Sequence, residues 1–176
     1  MKNKKITNIV FSALFTAIIC ILSQIAFATP TIPLTLQTFG IALCGYMLSV
    51  KWSLCCTMTY ILLGALGLPV FSNFRGGAHI ILGPTGGFII GFILLTFACA
   101  LTNNAHKRVS KIIISSVGLL LCHILGVIQY SILTGNNLFY SILTVSLPFI
   151  FKDIISLFTA FFAAKYLEKR IKGFKS

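Results

Sequence analysis

Only two side chains in this sequence are carboxylates, and one of them stands where charge is costly. Asp153 lies inside the apolar run LPFIFKDIISLF, positions 147–158. An ionisable group at that depth marks a pathway or binding site, or else pairs with an internal cation. Lys152 precedes it directly. Adjacent helical residues point about 100° apart, so the two are not expected to face each other, and the Lys152 stem is long enough to snorkel toward an interface. His123 stands in the middle of another apolar run. Its ordinary role would be a hydrogen bond to a neighbouring helix. An acid–base partnership with Asp153 would need the two within reach, a second activating group and a water path. His79, His106 and the six cysteines show no metal-ligand spacing and no C-x-x-C pair, so no metal or cofactor is expected. Glu168, in the basic tail, reads as a salt-bridge partner.

Three further polar residues sit in segments that interrupt the apolar sequence. Asn73 can both donate and accept hydrogen bonds, and Arg75 offers a cation to an anionic solute. Both belong to GALGLPVFSNFRGGAHIILGPTGG, positions 64–87, the longest irregular stretch of the chain. Gln37 belongs to TPTIPLTLQT, positions 29–38. Long irregular segments are more often functional than idle, and inside a bilayer they occur only against protein or water. The 64–87 stretch therefore reads as the floor or lid of a ligand site. Its GPTGG is no phosphate loop, because the lysine and hydroxyl of G-x-x-x-x-G-K-[ST] are missing and it opens a helix without a preceding strand. Gly87 and Gly91 form a small-xxx-small pair for close helix packing.

These residues must be positioned by membrane helices. Of 176 residues, 57% are hydrophobic and 9% charged, with mean hydropathy +1.00, against about 25% charged in soluble domains. The chain thus reads as one integral membrane domain, 1–176. The run Ile6–Ala28 could be a signal peptide with an A-x-A site at Ala26-Phe27-Ala28. A signal core spans about 7–15 residues, whereas this run has 23, so it reads as the first span. Further spans are expected from Leu34 or Phe39 to Val50, Ser53 to Leu66, Thr85 to Asn103, and Ile112 to Thr134. Pro148 divides the last apolar region into a short outer segment, Leu138–Leu147, and a sixth helix from Pro148 to about Lys169, since proline suits a first helical turn.

The net charge of +12 gathers in short clusters between apolar runs, without the aromatic interleaving of a nucleic-acid surface. With the N-terminus cytoplasmic, 12 of the Lys and Arg residues fall inside, Arg75 alone outside and Lys152 within the membrane. That asymmetry predicts an all-α membrane protein of six spans with both termini cytoplasmic and structured outer loops. It leaves 29–38, 67–84 and 135–147 facing outward.

TPTIPLTLQT, YILLGALGLPVFSNFRGG, GPTGGFIIGF and LPFIFKD, in that order, resemble the BioY family, the biotin-specific substrate-binding (S) components of energy-coupling factor (ECF) transporters. The resemblance implies a six-helix bundle that takes biotin near its outer face, without catalysis. It implies partnership with two cytoplasmic ATPases and a membrane coupling protein, which docks on an A-x-x-x-A face of the first helix. Ala13 and Ala17 stand at those positions. Asp153 matches the family's acid and Asn73 falls in the matching loop, while Gln37, Arg75 and Lys152 are further candidate substrate contacts. The family's G-D-x-x-K is altered: the lysine stands just before the acid as Lys152, and Ser156 takes the usual lysine position. The ureido ring of biotin has two N–H donors and one carbonyl acceptor, matching a carboxylate and an amide. Its sulfur ring suits an apolar pocket around Phe71 and Phe74. An S component for riboflavin or thiamine, and an intramembrane enzyme using Asp153 and His123, are the alternatives.

Overall fold

The computed structural model describes residues 2–27, 33–105 and 107–170. The first part of TPTIPLTLQT, His106 and the tail lysines Lys172 and Lys175 lie outside the described residues.

In chain order the elements are α1 (Lys2–Gln24), β1 (Ala26–Phe27), β2 (Leu34–Thr35), α2 (Gln37–Met47), α3 (Val50–Ala65), a 3₁₀ turn (Ser72–Phe74), α4 (Ala78–Ile81), α5 (Gly86–Leu101), a second 3₁₀ turn (Thr102–Asn104), α6 (Arg108–Thr134), α7 (Leu138–Val145) and α8 (Leu147–Arg170). The expected helices form close to their expected limits. The chain is not strictly all-α, because β1 and β2 pair antiparallel, Ala26 opposite Thr35, and close the loop after α1.

Local chemistry explains the ends. Pro148 sits in the first turn of α8, where its missing N–H would have no helical partner. Gly135 ends α6 in the left-handed conformation, φ 69°, which glycine adopts without a Cβ clash. Asn137 caps α7, its side-chain oxygen accepting from the Tyr140 amide at 2.8 Å.

Among the described residues, four helices are long and apolar enough to cross a membrane: 4–24, 86–104, 108–134 and 147–170. The other two expected spans are shorter, 16 residues in α3 and 11 in α2. Length explains why α2 is different. Eleven residues rise about 16 Å, half a hydrocarbon core. Ten of them are buried, and the helix packs against α1, α3, α5 and α8. It is the central post of the bundle, with nearly every face against protein. The most extensive helix pair is α5 with α6. A Cβ on Gly91 would sit 2.7 Å from the Cys122 backbone, so this pair of helices touches backbone to backbone, as the small-xxx-small spacing predicts.

Candidate ligand-binding site

One cavity gathers most of the polar residues singled out by the sequence. It is open at its mouth, with about 650 Å³ of empty space counted out to that opening. Asp153, Lys152 and Gln37 line it, together with Thr35, Thr38, Ser72 and His123. Its walls are apolar, with Phe71, Phe88, Phe92 and Phe149 among them.

The polar groups form one connected chain. His123 Nε2 lies 3.2 Å from Asp153 Oδ2, and its Nδ1 lies 3.0 Å from Ser146 Oγ. A carboxylate only accepts, so Nε2 donates toward Asp153, and the Ser146 hydroxyl is the partner of Nδ1. Asp153 Oδ1 also pairs with Lys152 Nζ. That ammonium donates to the Thr35 carbonyl at 2.7 Å. The Thr35 hydroxyl donates to Gln37 Oε1 at 2.7 Å, and Gln37 Nε2 donates to the Tyr60 hydroxyl at 2.5 Å. Residues from α3, α2, β2, α8, α6 and the α7–α8 junction are thereby tied together in a cluster that is almost wholly buried. Such a cluster in low dielectric is stable only when its members satisfy one another.

Two expectations change here. Lys152 does face Asp153: the Cβ directions diverge, but the four-carbon stem curls back and the Thr35 carbonyl holds the ammonium in place. His123, whose ordinary role was an interhelical hydrogen bond, makes that bond to Ser146 and also touches Asp153.

The loop between α3 and α4 divides its residues between the cavity and solvent. Phe71 is 1% exposed and stacks edge-on against Tyr60, ring centres 5.6 Å apart. Ser72 lines the cavity as well. Asn73, Phe74 and Arg75 are exposed and do not line it; Phe74 in particular is 72% exposed, so of the two expected aromatic walls only Phe71 contributes. Asn73 adopts φ 59°, ψ 38°, a left-handed conformation that asparagine tolerates better than most residues, and Phe74 follows with φ 55°. The loop is held by the end of α1. Ser23 Oγ donates to the Val70 carbonyl at 2.5 Å. Gln24 donates to the Phe71 carbonyl at 3.1 Å and accepts from the Phe74 amide at 2.9 Å.

Thr35, Thr38, Tyr60 and Ser146 were not singled out by the sequence. Thr35 and Thr38 had a signal, being hydroxyls in the polar end of TPTIPLTLQT. Tyr60 and Ser146 sit in apolar runs, and only the packing of α3 and of the α7–α8 junction brings them to the cluster.

On the outside of α1, Ala13 and Ala17 are exposed and line an apolar groove against α3, beside Trp52, Cys55 and Thr59. Ser12 and Thr16 turn inward, with the Ser12 hydroxyl 3.4 Å from the Trp52 carbonyl and Thr16 against Cys56.

This chain is similar over nearly its whole length to named transport proteins. It is 36% identical over 163 residues to the biotin transporter BioY of Thermotoga maritima, covering 92% of this chain and 96% of that one. It is 38% identical over 168 residues to the probable biotin transporter BioY of Pyrococcus horikoshii, covering 96% and 98%. Its fold superposes on the crystal structure of an S-component for biotin from an ECF-type ABC transporter with TM-score 0.87 and 27% identity, covering 96% of this chain and 94% of that one. The sequence profile of the BioY family matches residues 1–173. This multi-pass membrane protein belongs to the BioY family.

Proposed function

We propose that the protein captures biotin from outside the cell and delivers it through an ECF-type transporter, binding the vitamin in the cavity around Asp153 without chemical change. The observation that supports this best is the buried Asp153–His123–Lys152 cluster opening onto an aromatic cavity. Acceptor and donor groups stand side by side there, as a ureido ring requires: Asp153 accepts one ring N–H, and Lys152 or Gln37 donates to the carbonyl. Phe71, Phe88 and Phe149 take the sulfur ring. Arg75 and Asn73, exposed on the loop that supplies Phe71, act at the rim, with Arg75 attracting the valerate carboxylate. The His123–Asp153 contact is read as part of the binding cluster and not as an acid–base pair, because the relatives are named as biotin transporters.

The protein crosses the cytoplasmic membrane six times with both termini inside. The short α2 and α3 complete the span count, supported by the clustering of Lys and Arg on one side of the expected topology. Two cytoplasmic ATPases and a membrane coupling protein supply the energy, the coupling protein docking at Ala13 and Ala17. Equilibrium binding to the purified protein tests the reading: biotin binds, and riboflavin and thiamine at equal concentration do not. Binding of either of those vitamins in preference to biotin overturns it.

A further inference from the structure

We propose that the end of the bundle opposite the Asp153 cavity holds a second pocket, which takes the phosphate of an anionic phospholipid headgroup. The pocket lies where the end of α2 meets the end of α5, the start of α6 and the last turns of α8. It encloses about 750 Å³ of empty space, its open mouth included. Arg108 and Lys111 enter it from α6 and Lys165 from α8, with Glu168 as the one carboxylate among its lining. Three cations against one carboxylate leave an excess of positive charge.

The pocket is built rather than a chance meeting of surface lysines. Asn103 donates to the Leu48 carbonyl at 2.9 Å, tying the end of α5 to the end of α2. Tyr46 and Phe161 form an aromatic floor, edge to face at 5.5 Å. The first turn of α6 has no acidic residue and its N-cap Lys107 makes no side-chain cap bond, and a helix N-terminus favours an anion.

A lipid fits this chemistry better than a soluble anion because apolar surface adjoins the cations. The same two helices expose Val109, Ile112, Phe158 and Phe162, a surface for acyl chains beside a site for phosphate. Basic pockets between membrane helices at the cytoplasmic side bind anionic headgroups. The assignment to that leaflet rests on the six-span orientation proposed above; the binding chemistry does not.

The test uses the intact chain purified in mild detergent, with bound lipid read by native mass spectrometry. Phosphatidylglycerol and phosphatidylcholine of matched acyl chains compete, and inorganic phosphate is added separately. The parent retains phosphatidylglycerol in preference. Each cation near an anionic lipid contributes about fivefold, so Arg108→Ala with Lys111→Ala lowers that preference about 30-fold. Lys4→Ala with Lys5→Ala, basic residues that do not line the pocket, leaves it unchanged. Should the double variant fail to fold, Lys165→Ala at an exposed position gives the same test with an expected loss of about fivefold. Equal retention of the two lipids, an unaltered preference in the pocket variants, or an equal loss in the control overturns the proposal. Displacement of phosphatidylglycerol by inorganic phosphate also overturns it, since the site would then serve a soluble anion. Biotin binding by the same samples is read independently: its absence from the parent counts against the proposed function and leaves the lipid result standing.

Discussion

At the scale of single residues, Asp153 is where charge, burial and hydrogen bonding meet. Asp153→Asn keeps the shape, removes the charge and replaces one acceptor oxygen with an NH₂ group. In a binding role, one charge-assisted bond to the ligand is lost, worth roughly 1.5–3 kcal/mol, and biotin affinity falls about 10- to 150-fold. In a purely structural role, Lys152 loses its counter-charge and either Lys152 or His123 meets an NH₂ donor in place of an acceptor, so thermal stability falls while the folded fraction binds as before. Titration and melting on the same purified variant separate these outcomes; affinity within about threefold of the parent beside a lower melting temperature removes Asp153 from the ligand contacts. The importance of Asp153 was legible in the sequence because a carboxylate in an apolar run is too costly to keep there without a partner or a ligand. Its partnership with Lys152 was not, because helical geometry describes where a side chain leaves the backbone and not where a four-carbon stem ends. Ser146 was invisible for a related reason: a serine beside a helix break is ordinary until His123 is seen 3.0 Å away.

At the scale of elements, the site depends on the loop after α3, and that loop depends on α1. Gln24 bonds the Phe71 carbonyl and the Phe74 amide, spanning two consecutive residues in left-handed conformation that the loop would not keep unaided. Gln24→Ala removes both bonds, each worth about 1 kcal/mol. The expected outcome is a several-fold loss of biotin affinity with expression and helix content unchanged; affinity equal to the parent would show that the loop holds Phe71 without help from α1. A second element-scale test concerns α5 and α6. Gly91→Val places a side chain against the Cys122 backbone, which cannot rotate aside, so the helices must separate. A melting temperature in detergent clearly below that of the parent is expected, at a cost of about 1–3 kcal/mol; an unchanged value would mean that α5 and α6 have room to spare at this contact. The helices themselves were legible in the sequence, since runs of apolar residues punctuated by Gly, Pro and Lys leave little choice. The span count is less direct, because α2 is too short to be recognised by length. Its burial comes from four neighbouring helices, which no local pattern encodes.

At the scale of the whole molecule, the two ends of the bundle differ in chemistry, and the flank of α1 differs from both. The Asp153 cavity lies toward the end where α2, α5 and α8 begin, and the basic pocket where those helices end. Reporter fusions after Lys111 and at the C-terminus are expected to score cytoplasmic, and one after Asn137 external; a cytoplasmic signal after Asn137 would put the candidate site on the wrong face. The flank of α1 carries the remaining prediction. Ala13 and Ala17 are exposed and four residues apart, on the same helix that anchors the ligand loop through Ser23 and Gln24. Small residues let another helix approach closely, and the groove they line against α3 is apolar. Replacing both with Trp fills that groove from the outside, while the inward contacts of Ser12 and Thr16 stay as they are. Biotin binding by the isolated protein should therefore persist, with affinity within about twofold of the parent, since the changed side chains lie outside the cavity. If the coupling protein docks there as proposed, uptake by cells expressing the variant together with the coupling protein and ATPases is expected to be lost. Binding lost along with uptake would show that the substitutions disturb the fold. Normal uptake at normal expression would move the docking surface away from α1 altogether.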